Sequence, residues 1–142
     1  MIDGSPAAAG DKGEYLTANS PAAVNLVTLV TANVASIALP PGDWDIWGAV
    51  IFQPTGTGPN SLSSAISGVS GALPSNADVT AGFGTMSETW SSSMPSGKRQ
   101  VLLTGQCTSN LATVKNVFLV AQASFGGGSV AVSGYISARR AR

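Results

Sequence analysis

The amino-acid sequence predicts an all-β jelly-roll sandwich of about eight short antiparallel strands, preceded by an extended N-terminal arm. Two observations lead to this prediction. Apolar residues alternate with small or polar ones along several segments, as they do on strands with one buried face. Gly, Pro, Ser and Asn separate these segments, and no segment keeps a helical period over several turns. We therefore expect a knob domain over residues 21–142 behind an arm over residues 1–20.

The arm is predicted because glycine and proline recur along it, and both residues disfavour strand and helix. It contains few large apolar side chains. Those that could anchor it to another surface are Ile2, Tyr15 and Leu16.

The first predicted strands are Val24–Val30 and Val34–Leu39, since both are apolar and rich in β-branched residues. The segment Asp43–Phe52 is the clearest strand of the chain. Its alternate positions are apolar or small, and Trp47 and Ile51 make its second face apolar as well.

Residues 53–80 are rich in Ser, Gly, Pro and Asn, so we expect long loops there with one or two weak strands. The predicted strands that follow are Arg99–Thr104, Lys115–Phe125 and Ser129–Ala138. A run of three glycines between the last two predicts a hairpin turn.

Several predicted strands are apolar on both faces, notably residues 44–52 and 117–121. An antiparallel sheet in a monomer usually exposes one face to water. Only 10% of the residues are charged, whereas soluble domains average roughly 25%. Both observations indicate a sheet face that is buried between subunits, and a neutral extracellular-type surface is the alternative explanation of the low charge. A trimer is the simplest closed arrangement for a projecting knob, although the spacing alone does not choose between two, three and five copies.

The composition argues against catalysis. The chain has no His and one Cys, and its seven basic and seven acidic residues are scattered. Enzymes usually move protons with His or with charged groups that neighbours have tuned, so we expect a non-enzymatic protein without a cofactor. A single Cys107 excludes an internal disulfide and a multi-cysteine metal site, and we expect it to be a small buried residue.

The charges are divided along the chain. All seven acidic residues lie at or before Glu88, and the six basic residues other than Lys12 follow it. The basic residues do not alternate with aromatic ones, so no nucleic-acid partner is expected. No signal peptide and no membrane-spanning apolar run is visible. We expect the C-terminal arginines Arg139, Arg140 and Arg142 to pair with carboxylates across a subunit boundary; the alternative is that they stay solvated.

Four segments resemble a known family when they are taken in order along the chain. They are Gly10–Leu16, Leu39–Gly48, Val117–Phe125 and Gly134–Arg142. The chain resembles the C-terminal knob domains of bacteriophage tail fibres, tail needles and related small virion-surface proteins. The resemblance implies a jelly roll of the tumour-necrosis-factor type, a homotrimer around a three-fold axis, and no enzymatic activity. Trp47 stands where relatives tend to have a small residue, which predicts different packing or a different subunit contact there.

The resemblance also implies a role. We expect a virion structural protein, made in the host bacterial cytoplasm and held through its arm by the major capsid protein or a tail protein. Because only about 20 residues precede the knob and no shaft is visible, capsid decoration is slightly favoured. The alternative is a tail-fibre or tail-spike tip that binds a host receptor or surface glycan.

The candidate residues form three groups. The predicted subunit interface contains Trp47, Phe118, Val120, Tyr135, Arg139 and Arg140. Trp90 is the candidate receptor contact, and with Trp44 and Trp47 it could form a carbohydrate-binding patch. Asp43 and Asp45 share a strand face and could bind a cation or act as a hydrolase pair, although solvated or ion-paired carboxylates are the simpler prediction.

Overall fold

The structure is a computed structural model that describes residues 8–75, 85–89, 94–95 and 97–141. Over these ranges the chain consists of strands, turns and loops, which confirms the predicted all-β class. Within the same ranges there is no helix with the length and apolar character needed to cross a membrane.

The strands of the described residues are numbered in chain order. They are β1 (Tyr15–Asn19), β2 (Val24–Asn25), β3 (Ala32–Leu39), β4 (Gly42–Thr55), β5 (Ser61–Ser67), β6 (Thr85–Thr89), β7 (Gln100–Leu103), β8 (Cys107–Leu111), β9 (Lys115–Ser124) and β10 (Ser129–Arg140).

These strands form two antiparallel sheets that pack face to face. Sheet A has the order β1-β10-β4-β7, with β2 also paired to β10 and β8 also paired to β4. Sheet B has the order β3-β9-β5-β6. The pairs β1 with β2 and β7 with β8 lie end to end along one neighbour, so each pair acts as one interrupted edge strand. Counted this way, the strands follow the connectivity of a jelly roll, as predicted.

The long strands β4 and β10 lie side by side at the centre of sheet A. They pair over their whole shared length, from Thr55 opposite Ser129 to Trp44 opposite Arg140. One face of β4 carries Trp44, Ile46, Val50 and Phe52, and the same face of β10 carries Val130, Val132, Ile136 and Ala138; all of them are almost fully buried in the core.

The two sheets come into close contact at a pair of glycines. A Cβ atom at Gly48 would lie 3.2 Å from Leu119 Cδ1, and one at Gly134 would lie 3.0 Å from Leu119 Cδ2. Both would also come within 2.6 Å of a backbone carbonyl oxygen on the neighbouring strand of sheet A. Glycine at both positions therefore makes room for Leu119 of sheet B at the centre of the core.

Beside each of these glycines, a hydroxyl side chain next to the edge strand accepts a hydrogen bond from the glycine amide. Thr104 lies between β7 and β8, where its Oγ1 accepts a hydrogen bond from the Gly48 amide at 2.8 Å. On the opposite edge, Ser20 follows β1, and its Oγ accepts a hydrogen bond from the Gly134 amide at 3.1 Å. Each hydroxyl replaces a backbone carbonyl of the ladder, so the edge strand can bulge without leaving a buried amide unpaired.

Three segments of sheet A differ from the sequence prediction, and the first is β8 (Cys107–Leu111), for which no strand is predicted. The predicted strand Val24–Val30 ends after two residues, because a turn closed by a hydrogen bond from the Val30 amide to the Val27 carbonyl (3.0 Å) follows it. The residues from 15 to 19, which composition places in the arm, form β1 and pair with β10. Sheet A therefore begins before the boundary predicted at residue 20.

Candidate functional site

The candidate functional site is the outer face of sheet A, on the side opposite to the core. Because successive side chains of a strand point to opposite faces, the residues between the buried positions of β4 and β10 point outward. In register, Trp47 lies opposite Ser137, Ala49 lies opposite Tyr135, and Asp45 lies opposite Arg139. The strand pairing thus brings together three of the predicted interface residues, Trp47, Tyr135 and Arg139.

Large apolar side chains extend across this surface from one edge of the sheet to the other. We call them the apolar face: Tyr15, Trp47, Ile51, Val101, Leu103 and Tyr135. Leu103 is 63% exposed, Val101 is 52% exposed and Tyr135 is 40% exposed in the single chain. A contiguous exposed apolar patch of this kind marks an interaction surface on a soluble protein.

The aromatic part of the apolar face is held in place by hydrogen bonds. The Tyr15 hydroxyl donates to Ser137 Oγ at 3.0 Å, and Thr17 Oγ1 lies 3.1 Å from the same oxygen. This contact sets the Tyr15 ring beside Trp47, with 6.1 Å between ring centroids and 41° between planes. The two rings are therefore held in a fixed arrangement on the surface of the sheet.

The proximal end of the sandwich is the end where residues 10–14 lie, and charges border the apolar face there. Asp45, Trp47, Gln106 and Arg139 line an open groove of about 390 Å³. Asp43 and Asp45 line a second groove of about 270 Å³, and the Asp43 carboxylate accepts a hydrogen bond from the Asn110 side chain. Among the described residues there is no group of three or more His, Cys, Asp or Glu side chains that could hold a metal ion.

Arg140, predicted to lie at a subunit interface, is instead buried inside the chain. Its Nε donates to Glu14 Oε2 at 2.9 Å, and both side chains are only 7% exposed. Its guanidinium lies over the Trp44 ring, 4.5 Å from the centroid. Because the alternation of β10 turns Arg140 toward the core side, its guanidinium pairs with a carboxylate of its own chain, in place of the intersubunit pairing predicted for it.

The ion pair also fastens the segment before β1. Glu14 Oε2 accepts a second hydrogen bond from the Gly10 amide at 2.8 Å, and the Arg140 amide donates to the Glu14 carbonyl at 2.8 Å. Gly42 lies against the guanidinium, and a Cβ at this position would fall 2.0 Å from Arg140 Nη1. Residues 10–14 are thereby fixed beside the C-terminal strand.

The pH dependence of stability follows from this ion pair. The hydrogen bond from Gly10 lowers the pKa of Glu14 below its ordinary value of 4.5, and Arg140 lowers it further, while burial opposes both. A carboxyl whose pKa is lowered by folding stabilises the native state above its unfolded pKa. That contribution is lost as the pH falls through the folded pKa.

We predict that Glu14→Gln is less stable than the wild type at pH 7 in urea unfolding, and that the difference shrinks steadily below pH 4.5. A difference that did not change with pH would contradict this role of Glu14.

The other predicted interface residues lie on sheet B. Phe118 is half-buried and Val120 is fully buried, both on the face turned away from the core. Val120 lies opposite Asn33, whose side chain donates to Ser70 Oγ at 2.7 Å and accepts from the Gly71 amide at 2.8 Å. The segment after β5 thus packs over this part of sheet B. Val120 has no exposed surface left for a subunit contact.

The predicted anchoring residues do not lie on one common surface. Leu16 points toward the core and packs against it, whereas Tyr15 points outward in the apolar face. Ile2 and the predicted receptor contact Trp90 lie outside the described residues. Val101 and Leu103 were not predicted as site residues, although their short strand was. The signal that could have identified them is a run of apolar residues on a strand too short to be buried on both faces.

Cys107 is the small buried residue that the sequence predicts. It is 4% exposed, and its Sγ lies 3.6 Å from the Ile46 carbonyl oxygen. Burial raises the pKa of the Cys107 thiol to about 12, so the thiolate is scarce at neutral pH. Cys107 is therefore a packing residue.

Comparisons with known proteins give a likeness of fold. No protein-family model matches the chain. No curated protein matches it by sequence. Two solved structures that resemble it come from infectious bursal disease virus. A chain of the Gx strain structure is 15% identical over 90% of this chain, with a TM-score of 0.55. A chain of the VP2 subviral particle is 12% identical over 92% of this chain, also with a TM-score of 0.55.

The likeness shows a shared fold. This chain spans about a third of each viral chain, 33% in the first and 34% in the second. At these identities the comparison supports the two-sheet architecture and carries no residue of a functional site from one protein to the other.

Proposed function

We propose that the protein is a non-enzymatic structural component of a bacteriophage virion, and that three copies form a knob projecting from the particle. The observation that carries this proposal is the apolar face of sheet A. In the single chain it leaves Leu103, Val101 and Tyr135 in water, and burying such side chains yields roughly 25 cal/mol per Å². A second copy of the same chain is the partner that is present wherever the chain is made.

Two further observations support a virion role. The fold is shared with chains from the virus structures described above. The sequence resembles phage knob domains over segments that form β4, β9 and β10. Capsid decoration is the location that we favour.

The attachment would use the arm. The ion pair of Glu14 with Arg140 holds residues 10–14 at the proximal end of the sandwich, so an arm that precedes them would emerge there. We propose that arm residues, Ile2 among them, contact the major capsid protein or a tail protein. The opposite end would then point away from the particle.

The virion role is tested by immunogold labelling of intact, purified particles from the strain that encodes the chain, with an antibody against the folded protein. We expect gold over the particle surface, and around the head if the protein decorates the capsid. Labelling confined to the tail tip would favour the alternative of host attachment. Particles that are never labelled, with all of the chain in the unassembled fraction, would contradict a virion role.

A further inference from the structure

A single turn at the end opposite to the proximal end, which we call the distal end, combines backbone strain with exposed apolar side chains. Leu29 has a φ of 60°, a left-handed conformation that residues with a Cβ rarely adopt. Its side chain is nevertheless 66% exposed, and its neighbours Val27 and Val30 are also more than half exposed. Neither feature stabilises the isolated chain, and strain that persists in a structure often marks a functional contact.

Hydrogen bonds to sheet B hold this turn rigidly. The Leu29 amide donates to the Ala123 carbonyl at 2.8 Å, and Gln122 Nε2 donates to the Leu29 carbonyl at 2.9 Å. Thr28 Oγ1 accepts from the Phe125 amide at 3.0 Å. Both backbone groups of Leu29 and the Thr28 hydroxyl are thus paired within the chain, and the large side chains that the turn exposes are aliphatic. A preorganised apolar knob of this kind suits an apolar partner surface.

The turn and the apolar face are placed as a ring of identical chains requires, at opposite edges of the same sheet. A cyclic assembly other than a dimer needs two different surfaces that complement each other. The turn follows β2 at one edge of sheet A, and Val101 of the apolar face lies on β7 at the other edge. The turn lies in a charge-free stretch, and Val101 has the apolar Leu103 beside it on the same face of β7, while Arg99 stands just before that strand.

The two surfaces also lie at similar heights along the strands. Leu119 contacts Gly48, and Ala123, which holds the turn, lies four residues beyond Leu119, about 13 Å toward the distal end at 3.3 Å per residue. Val101 pairs with Ile51, three residues beyond Gly48, or about 10 Å in the same direction. Three copies standing side by side with their proximal ends together would bring these two levels into contact.

We propose that the 27–30 turn of each copy, led by Leu29, packs on the apolar face of the next copy beside Val101. This contact rests on the proposed homotrimer and deepens it, since it names the second surface that closes the ring. Burial against the neighbour compensates the left-handed backbone of Leu29.

The contact is tested by cysteine cross-linking. The variant carrying both Leu29→Cys and Val101→Cys should form, under mild oxidation, a disulfide ladder on a non-reducing gel that ends at three chains. Each single variant should stay as one chain, because a head-to-tail contact brings unlike residues together. The native Cys107 will not interfere, since it is buried. Val114→Cys with Val101→Cys is the matched control, because Val114 is also 66% exposed but lies in a turn at the proximal end.

A second variant removes the proposed contact without destabilising the folded chain. Leu29→Gly removes the side chain and relieves the left-handed strain. We expect the isolated chain to be at least as stable as the wild type, and the chain concentration needed to keep half of the protein trimeric to rise at least tenfold. A trimer that is unchanged in Leu29→Gly and gives no ladder with the double variant would overturn this contact and leave the homotrimer standing. A wild-type chain that is monomeric in light scattering would refute the homotrimer itself.

Discussion

Replacing Arg140 with alanine is expected to lower the free energy of unfolding by about 3 to 5 kcal/mol. The substitution removes the guanidinium that pairs with Glu14 at 2.9 Å, and it leaves that carboxylate buried without its counter-charge. It also removes the cation over the Trp44 ring and opens a space beside Gly42. Urea unfolding at pH 7 and a fixed chain concentration measures the loss.

The matched control for this experiment is Arg139→Ala. Arg139 is the preceding residue of the same strand, but it is exposed on the outer face. Surface substitutions of this kind usually change stability by less than about 0.5 kcal/mol. Equal losses from the two arginines, or a loss below about 1 kcal/mol for Arg140→Ala, would contradict a stabilising role for the buried ion pair.

Replacing Leu103 with lysine is expected to abolish the trimer while leaving the chain folded. Leu103 is 63% exposed on an edge strand, where lysine is well tolerated in a single chain. In the assembly the same ammonium would be buried three times against apolar neighbours. Burying one unpaired charge costs several kcal/mol, so we expect the concentration at which the trimer dissociates to rise at least about a hundredfold.

This substitution also has a matched control. Val114→Lys adds the same charge at an equally exposed apolar residue that lies outside the apolar face. Its trimer should match that of the wild type in sedimentation velocity, and both variants should keep the β-sheet circular dichroism spectrum. If Leu103→Lys remained a trimer, the apolar face could not be the subunit contact.

The sequence predicts the regular parts of this fold well, because local alternation determines them. The strands β4, β9 and β10 are long and place apolar or small residues at every second position of one face, so their existence and the spacing of their core side chains can be read from the sequence. The strand β5 is different. Its serines at 64 and 67 are fully buried although they are polar, because β5 lies between β9 and β6 inside sheet B. Burial that depends on neighbouring strands leaves no local pattern in the sequence.

The site was only partly predictable for the same reason. Strand alternation places Trp47, Tyr135 and Arg139 on one face of sheet A, and the register confirms that they are neighbours there. The partner of Arg140 is Glu14, which is 126 residues away, so no spacing rule connects them. The alternation of β10, extended by one more step past Ala138, does place Arg140 on the core side, and that signal was available.

The error in the predicted interface also has a physical cause. Apolar residues on both faces of a strand predict a covered second face, but they do not distinguish a sister copy from another part of the same chain. On β9, Val120 is already fully buried in the single chain, and its neighbour Asn33 holds Ser70 and Gly71 by hydrogen bonds. On β4 and β7 no such cover lies over Leu103 or Val101 among the described residues.

The assembly state of the purified chain tests the central claim most directly. Multi-angle light scattering should give three times the chain mass of 14.2 kDa, because the aliphatic and aromatic side chains on the outside of sheet A need sister copies to shield them from water. A single species of 14.2 kDa at every concentration tested would contradict it.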